Sequence, residues 1–538
     1  MSGGTRPGTS LSAGTTPDPG TAPAAPYRSA LAGVARDGFL QLVRAEWTKL
    51  RSVSRWMLTL AAAGVVTVLI SVLSAAGSET FFGRGEGPPI TVGPQGSAVE
   101  DRFQFTHRTL KGDGSIVARV SRLRGNATGA EYPEWAKAGI IVKESSEAGS
   151  PYAAVMLTKD HGVRLQSGFT RDTPGSDTPG TSSRWLKLTR EGDTLTGYES
   201  ADGARWTAIG SVRLAGLPDT VEAGLFVASP NSVRIEREFG SLSLGGTSTW
   251  ATADFDRVGL TGTVSGDWRN TQVGMPESAG GKAAAPGGPK ATKDAAGTRW
   301  NGGTATLTGS GDIAPLTTTG DLTSQALSGS RIGLVLLAAL GALFITAEYR
   351  RGMIRTTATV SARRGRMLLA KALVVGGAAF AVGLVAAVVS FELSIRTLRD
   401  NGHRPPVYPE ITLTDGPVLR AVIGTAAILA LTAVLALAVG ALLRHTAAAV
   451  GAVIVVIVLP LLLIEGLPVG VGQWLQRFTP TAGFALHDTR IRYDQVTSLC
   501  LPQDGCFPQG PWVGFATLGG YAVLVLAVAV WRLRRSDV

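Results

Sequence analysis

The chain has 538 residues, 44% of them hydrophobic, with a positive mean hydropathy and a net charge of +11. These values fit a membrane bundle diluted by a polar insert better than one soluble core. The charge is not a nucleic-acid footprint, because Lys and Arg crowd the ends of apolar segments with no aromatic residues interleaved on a soluble face.

Residues 1–26 are rich in Gly, Ser, Thr, Pro and Ala, with neither a charged leader nor an apolar core, and read as a disordered tail. Over 27–55 the chain becomes amphipathic. Phe39, Val43, Trp47 and Leu50 share one helical face, while Arg44 and Lys49 lie elsewhere, as in a helix lying at a membrane interface. The first apolar segment, Trp56–Ala76, follows at once and is expected to act as an uncleaved signal anchor.

Residues 78–267 form the insert, with a core at 100–260. Short alternating runs such as Ser115–Leu123, Ala138–Lys143, Ala153–Thr158, Trp185–Arg190, Thr194–Ser200 and Val221–Ala228 are separated by Gly, Asp, Asn and Pro turns. That spacing predicts an antiparallel two-sheet sandwich. Asp101-Arg-Phe-Gln-Phe, Ala138-Gly-Ile-Ile-Val-Lys, Trp185-Leu-Lys-Leu-Thr-Arg-Glu-Gly-Asp, Asp202-Gly-Ala-Arg-Trp-Thr and Ala253-Asp-Phe-Asp-Arg-Val resemble the concanavalin-like jelly-roll modules. The resemblance implies a sugar-binding role, with Trp135, Trp185 and Trp206 as candidate glycan contacts and cell-wall glycan as a candidate partner; packing in core or turn is the other role open to these rings. Glycoside hydrolysis would need two paired carboxylates, and nothing in the context of Glu144, Glu147, Asp160 or Asp172 marks a pair. His161 reads as a solvated turn residue, and Asn126-Ala-Thr as a chance glycosylation tripeptide. From 268 to 329, Gly, Ala, Pro, Lys and Thr predict a flexible tether.

Five more apolar segments occupy 330–538: Ser330–Ala347, Leu368–Ser390, Val418–Leu443, Thr446–Ile464 and Trp512–Trp531. The fold class is therefore a multi-span α-helical membrane protein with six transmembrane helices and an inserted all-β sandwich. Basic residues flank the first segment, fill the 348–367 loop and end the chain at Arg532, Arg534 and Arg535. The positive-inside rule then places both termini and that loop in the cytoplasm and the insert outside the cell membrane. Glu348, Glu392 and Glu465 end their segments as boundary residues, Pro460 is expected to kink the fifth, and Gly376, Gly377 and Gly383 invite close helix packing. Both cysteines, Cys500 and Cys506, fall in the last outside loop, where a disulfide or two free thiols are open, and they form no metal set.

Glu348-Tyr-Arg-Arg-Gly-Met-Ile-Arg-Thr-Thr with Arg363-Arg-Gly-Arg-Met-Leu-Leu-Ala-Lys, Arg44-Ala-Glu-Trp-Thr-Lys-Leu-Arg-Ser and Pro480-Thr-Ala-Gly-Phe-Ala resemble type-2 ABC exporter permeases of actinobacterial kind. The resemblance implies a coupling loop at 348–367 docking on an ABC ATPase. Its candidate contacts are Glu348, Arg350, Arg351, Arg355, Arg363, Arg364 and Arg366, whose arginines serve equally well as plain topology determinants. No Gly-x-x-x-x-Gly-Lys-Ser/Thr occurs, so this chain has no P-loop and no cofactor of its own; ATP and Mg belong to a partner ATPase. A second permease copy or a sister permease, and membrane lipid, are the other partners implied, and nucleic acid is not. The expected function is transport of an unidentified substrate rather than catalysis by this chain. The rival is a membrane-anchored glycan-binding protein without transport activity.

Overall fold

The computed structural model describes residues 38–78, 90–125, 132–238, 241–274, 297–318, 320–350, 364–464, 466–497, 500–501 and 505–535. Among the described residues six helices are long and apolar enough to cross a bilayer, at the six places where the sequence has its apolar runs. They are α2 (Ser54–Ala76), α4 (Ser330–Arg350), α5 (Arg364–Asp400), α6 (Gly416–Leu443), α7 (Thr446–Leu463) and α9 (Pro511–Arg535). The amphipathic helix α1 (Phe39–Ser52) precedes them, α3 (Leu322–Ala326) leads into α4, and α8 (Val469–Phe478) lies between α7 and α9.

Helices α4 and α6 form the centre of the bundle, whereas α2, α7 and α9 bury only about a fifth of their apolar length. The centre is tight because small residues let backbones approach. A Cβ on Gly341 of α4 would collide with the Ala433 carbonyl of α6, and one on Gly383 of α5 would lie 3.0 Å from Leu429. Gly376 also faces α6, but Gly377 faces open space. Pro460 has no N–H to give to residue 456, and the turn just before it, Ile454–Val458, winds as a π-helix.

The loop expected at 465–511 contains structure. Helix α8 is followed by a 3-10 helix, Pro480–His487, of which every residue is buried. Gly424 of α6, Gly483, and Gly514 of α9 have no room for a Cβ against Leu486, Leu518 and Ala482 respectively. This explains the small residues of Pro480-Thr-Ala-Gly-Phe-Ala: the segment is wedged between two long helices.

The insert leaves α2 and returns at α4 from nearly the same point, where Gly329 N donates to Ser71 Oγ at 3.0 Å. Two 23-residue strands, β2 (Phe103–Gly125) and β13 (Ala251–Val273), run antiparallel through the whole β-domain. Beside β2 the ladder divides. Residues 104–111 pair with β10 (Thr220–Ala228), which continues through β3 (Lys137–Lys143), β4 (Tyr152–Thr158), β5 (Val163–Ser167) and β6 (Arg171–Pro174). Residues 114–120 pair instead with β7 (Arg184–Glu191), followed by β8 (Thr194–Ser200) and β9 (Thr207–Arg213). The two arms fold onto each other around Ile116, Val120, Ile140, Val155, Leu186, Leu188 and Leu225, which alternate with outward residues as strand period 2 requires.

The first arm is buried on its other face as well. Phe103, Phe105, Ile141, Tyr152, Met156, Phe169 and Phe226 make a second cluster there, closed by the ribbon β1 (Val99–Asp101) with β16 (Ile313–Pro315). The tether expected at 268–329 is corrected where strands replace it, while 275–296 lie outside the described residues. β13 continues to Val273, and β14 (Gly297–Asn301), β15 (Thr304–Gly309) and β16 complete the domain. The alternation of Ala305 and Leu307, both fully buried, supplies the apolar face that makes a strand there.

Candidate functional site

The bundle has two distinct polar ends. At one end the β-domain is seated on the helix connections. Ala98 N donates to Pro406 O at 2.9 Å and Gln495 Nε2 to Phe169 O at 3.1 Å, while Asn401 Nδ2, donating to Ala75 O at 3.0 Å, ties the end of α5 to the end of α2. Asp321 caps α3 by accepting from Thr323 N at 2.8 Å and also accepts from Thr489 Oγ1 at 2.9 Å, which ties the return segment to the α8–α9 connection. Asp488 beside it accepts from Arg490 and Arg492. Its carboxyl, which burial pushes up, is held below the usual carboxylate range because these two guanidiniums outweigh the burial.

At the opposite end lies a buried ion cluster. Lys371, about 45 Å along α5 from Asn401 at 1.5 Å per residue, is fully buried and donates to Glu46 Oε1 of α1 and Glu348 Oε1 of α4, each at 2.6 Å. Lys49 of α1 donates to the same Glu348 oxygen. Phe344 lies beneath both ammoniums, its ring centre 5.1 Å from Lys371 Nζ and 5.9 Å from Lys49 Nζ, and Trp56 packs on that ring at 4.8 Å. Two carboxylates and two ammoniums balance, which is the condition for charge to survive in an apolar setting. Among the described residues Glu46 Oε2 and Glu348 Oε2 have no hydrogen-bond partner.

Local sequence explains the placement. On α1, Val43, Glu46 and Leu50 recur at helical spacing and face the bundle, so the carboxylate travels inward with its apolar neighbours. Trp47 is half exposed and Leu40 is 72% exposed, so the apolar face expected from Phe39, Val43, Trp47 and Leu50 is divided between bundle and surroundings. The cluster thus fastens α1 to α4 and α5, the two helices that flank residues 351–363.

The cluster holds α1 against α4 and α5. Burial, then the charge of Lys371, hold Lys49 down at about 8. The folded chain therefore binds this proton less tightly than the unfolded chain, and stability rises with pH between about 8 and the ordinary 10.5. Raising pH through that window is expected to increase the thermal midpoint of the wild type relative to Lys49→Met. The gain is on the order of 1 kcal/mol, because solvent reaches part of Lys49. Equal pH profiles for the two proteins in detergent would refute it.

The other sequence candidates are scattered. Arg351, Arg355 and Arg363 lie outside the described residues, as do the side chains of Arg350 and Arg364, while Arg366 is exposed. Glu348 lies at the end of the second apolar helix, and its expected contact with an ATPase is corrected because it is 1% exposed and held by lysines. Trp135 is corrected likewise: it is 2% exposed and stacked on His161 with ring centres 3.9 Å apart, so it has no surface for a sugar. Trp185 and Trp206 share the outward face of the second arm, with Arg119 over the first and Lys187 over the second at 5.9 and 4.7 Å. Cys500 and Cys506 are joined as a disulfide. Among the described residues no three His, Cys, Asp or Glu side chains gather as a metal set.

No family model matches the chain, and no curated protein matches it. Solved structures similar to part of it include a functionally unknown protein from Saccharomyces cerevisiae, at 15% identity over 30% of this chain and 74% of that one, with a TM-score of 0.20. Scytalido-glutamic peptidase with a transition state analog inhibitor is similar at 12% identity over 40% and 100%, TM-score 0.24. SCP-B, a member of the Eqolisin family of peptidases, is similar at 8% identity over 40% and 100%, TM-score 0.23. Likenesses this distant carry no argument about this chain.

Proposed function

We propose that this chain is the membrane subunit of a type-2 ABC exporter, with its β-domain outside the cell and both termini inside. A separate ATPase docks on the 348–367 loop, and ATP hydrolysis there drives transport of the substrate. The observation that carries the reading is the ion cluster. A displacement imposed on the loop between α4 and α5 reaches Glu348 and Lys371 at its two edges, and through Glu46 and Lys49 it reaches α1. A helix bundle that only anchored a β-domain would gain nothing from charged side chains buried beside a basic loop, given the desolvation they cost. The wedged segment Pro480–His487 and the paired small residues of α4 and α6 support the same reading, since they are the packing of a bundle whose helices act on one another. On this reading the β-domain is a jelly roll of concanavalin-like kind, and a second permease copy covers part of the apolar faces of α2, α7 and α9.

The test is a mild-detergent pull-down of the tagged chain from its native membrane, followed by mass spectrometry. The control carries Arg350, Arg351 and Arg355 changed to Glu. An ABC ATPase should accompany the wild type and be lost from the control. Recovery of cell-wall components with no ATPase would overturn the proposal and favour an anchored glycan binder.

A further inference from the structure

Among the described residues the two arms of the β-domain do not close on each other. There β6 pairs only with β5 and β9 only with β8, so two open strand edges face each other across the sandwich. At one end of this gap lies a cleft of about 550 Å³, within the range of small-ligand sites. Ser176, Arg184, Glu199, Ser200, Asp202 and Arg205 line it.

Its carboxylates are already spent. Glu199 is 4% exposed and accepts from Ser176 N at 2.7 Å, Ser176 Oγ, and Arg184 Nε at 2.9 Å. Asp202 accepts from Ala204 N and Arg205 N at 2.9 Å each, Ser200 Oγ at 3.0 Å, and Arg205 Nε at 3.2 Å. The backbone N–H groups of Arg205 and Ala204 hold its carboxyl well below the usual range, so it stays ionised and keeps Arg205 in place. What the cleft has left to offer is donors. Arg205, 93% exposed along its side chain, commits only Nε to Asp202, which leaves its two Nη groups for a ligand. The unpaired edge of β9 adds backbone groups suited to hydroxyls.

We propose that this cleft binds an acidic polysaccharide, with Arg205 gripping a carboxylate or phosphodiester on the chain and the β9 edge taking its hydroxyls. A guanidinium fork matches either anion in two parallel hydrogen bonds, which neutral sugar cannot supply. The site lies on neither tryptophan face considered above and does not depend on transport.

The experiment uses the full chain in nanodiscs of zwitterionic lipid, which removes competing anionic headgroups. Probes are oligogalacturonate, a glycerol-phosphate polymer and neutral dextran, with binding read by calorimetry. At least one acidic polymer should bind and dextran should not; which acidic polymer binds identifies the anion. Arg205→Ala should weaken that binding about tenfold, and Arg205→Lys should restore only part of it, while neither changes the thermal midpoint. Absence of binding by both acidic polymers, equal binding of dextran, or an unchanged affinity in Arg205→Ala would overturn the proposal.

Discussion

Replacing Lys371 by methionine is expected to destabilise the bundle by about 3–5 kcal/mol, the usual cost of removing one partner from a buried ion pair. The substitution keeps the volume but leaves Glu46 and Glu348 facing each other with only Lys49 to neutralise them. The quadruple variant Glu46→Gln, Lys49→Met, Glu348→Gln and Lys371→Met removes every charge of the cluster and should recover most of the loss. Thermal unfolding in detergent separates the two, and equal losses in both variants would show that packing rather than charge is what Lys371 provides. If the cluster transmits motion, the quadruple variant should fold yet fail to stimulate a partner ATPase.

The second large effect is expected in the β-domain. Lys143 and Asp101 are both fully buried, 2.7 Å apart, with Gly149 N also donating to Asp101 and the rings of Tyr152 and Phe169 about 6 Å from the ammonium. Lys143→Met should cost about 3–5 kcal/mol, and adding Asp101→Asn should return much of it. Hydrogen exchange over 137–143 and 152–158 reads this locally, so a change confined to the bundle would count against the assignment. The pH dependence has a definite sign. Burial pushes Asp101 above its ordinary 3.8, and loss of Lys143 removes the charge that opposes this rise. The folded variant then holds the proton more tightly than the unfolded chain, so its stability is fullest below about pH 3.8 and is lost as pH rises through the folded value.

The sequence made the long helices and most strands legible because each rests on a local pattern. Apolar runs of 20 residues and alternations such as Ala138-Gly-Ile-Ile-Val-Lys need no partner to be recognised. The ion cluster was not legible that way. Its members lie up to 325 residues apart, and Lys371, which ends the basic run that starts at Arg363, already lies within an apolar run, between Leu368 and Ala372. Glu46 offered a comparable signal, a carboxylate four residues before buried Leu50 on the inward face of α1. The strands at 297–315 were hidden by a Gly- and Thr-rich composition that reads as a tether. Their traces were the Gly302-Gly303 turn that joins β14 to β15 and the period-2 placement of Ala305 and Leu307.

The hydrogen bond from Gly329 to Ser71 fixes more than a helix pair. Because the polypeptide departs from the bundle and rejoins it at one spot, the inserted region behaves as a plug-in module with adjacent terminals. Shortening it, exchanging it for another folded unit with neighbouring ends, or growing it by whole strands leaves the register of α2 against α4 untouched. That junction is a natural port for a reporter domain, and it explains how a helical bundle can carry an appendage of this bulk without redesign of its own packing.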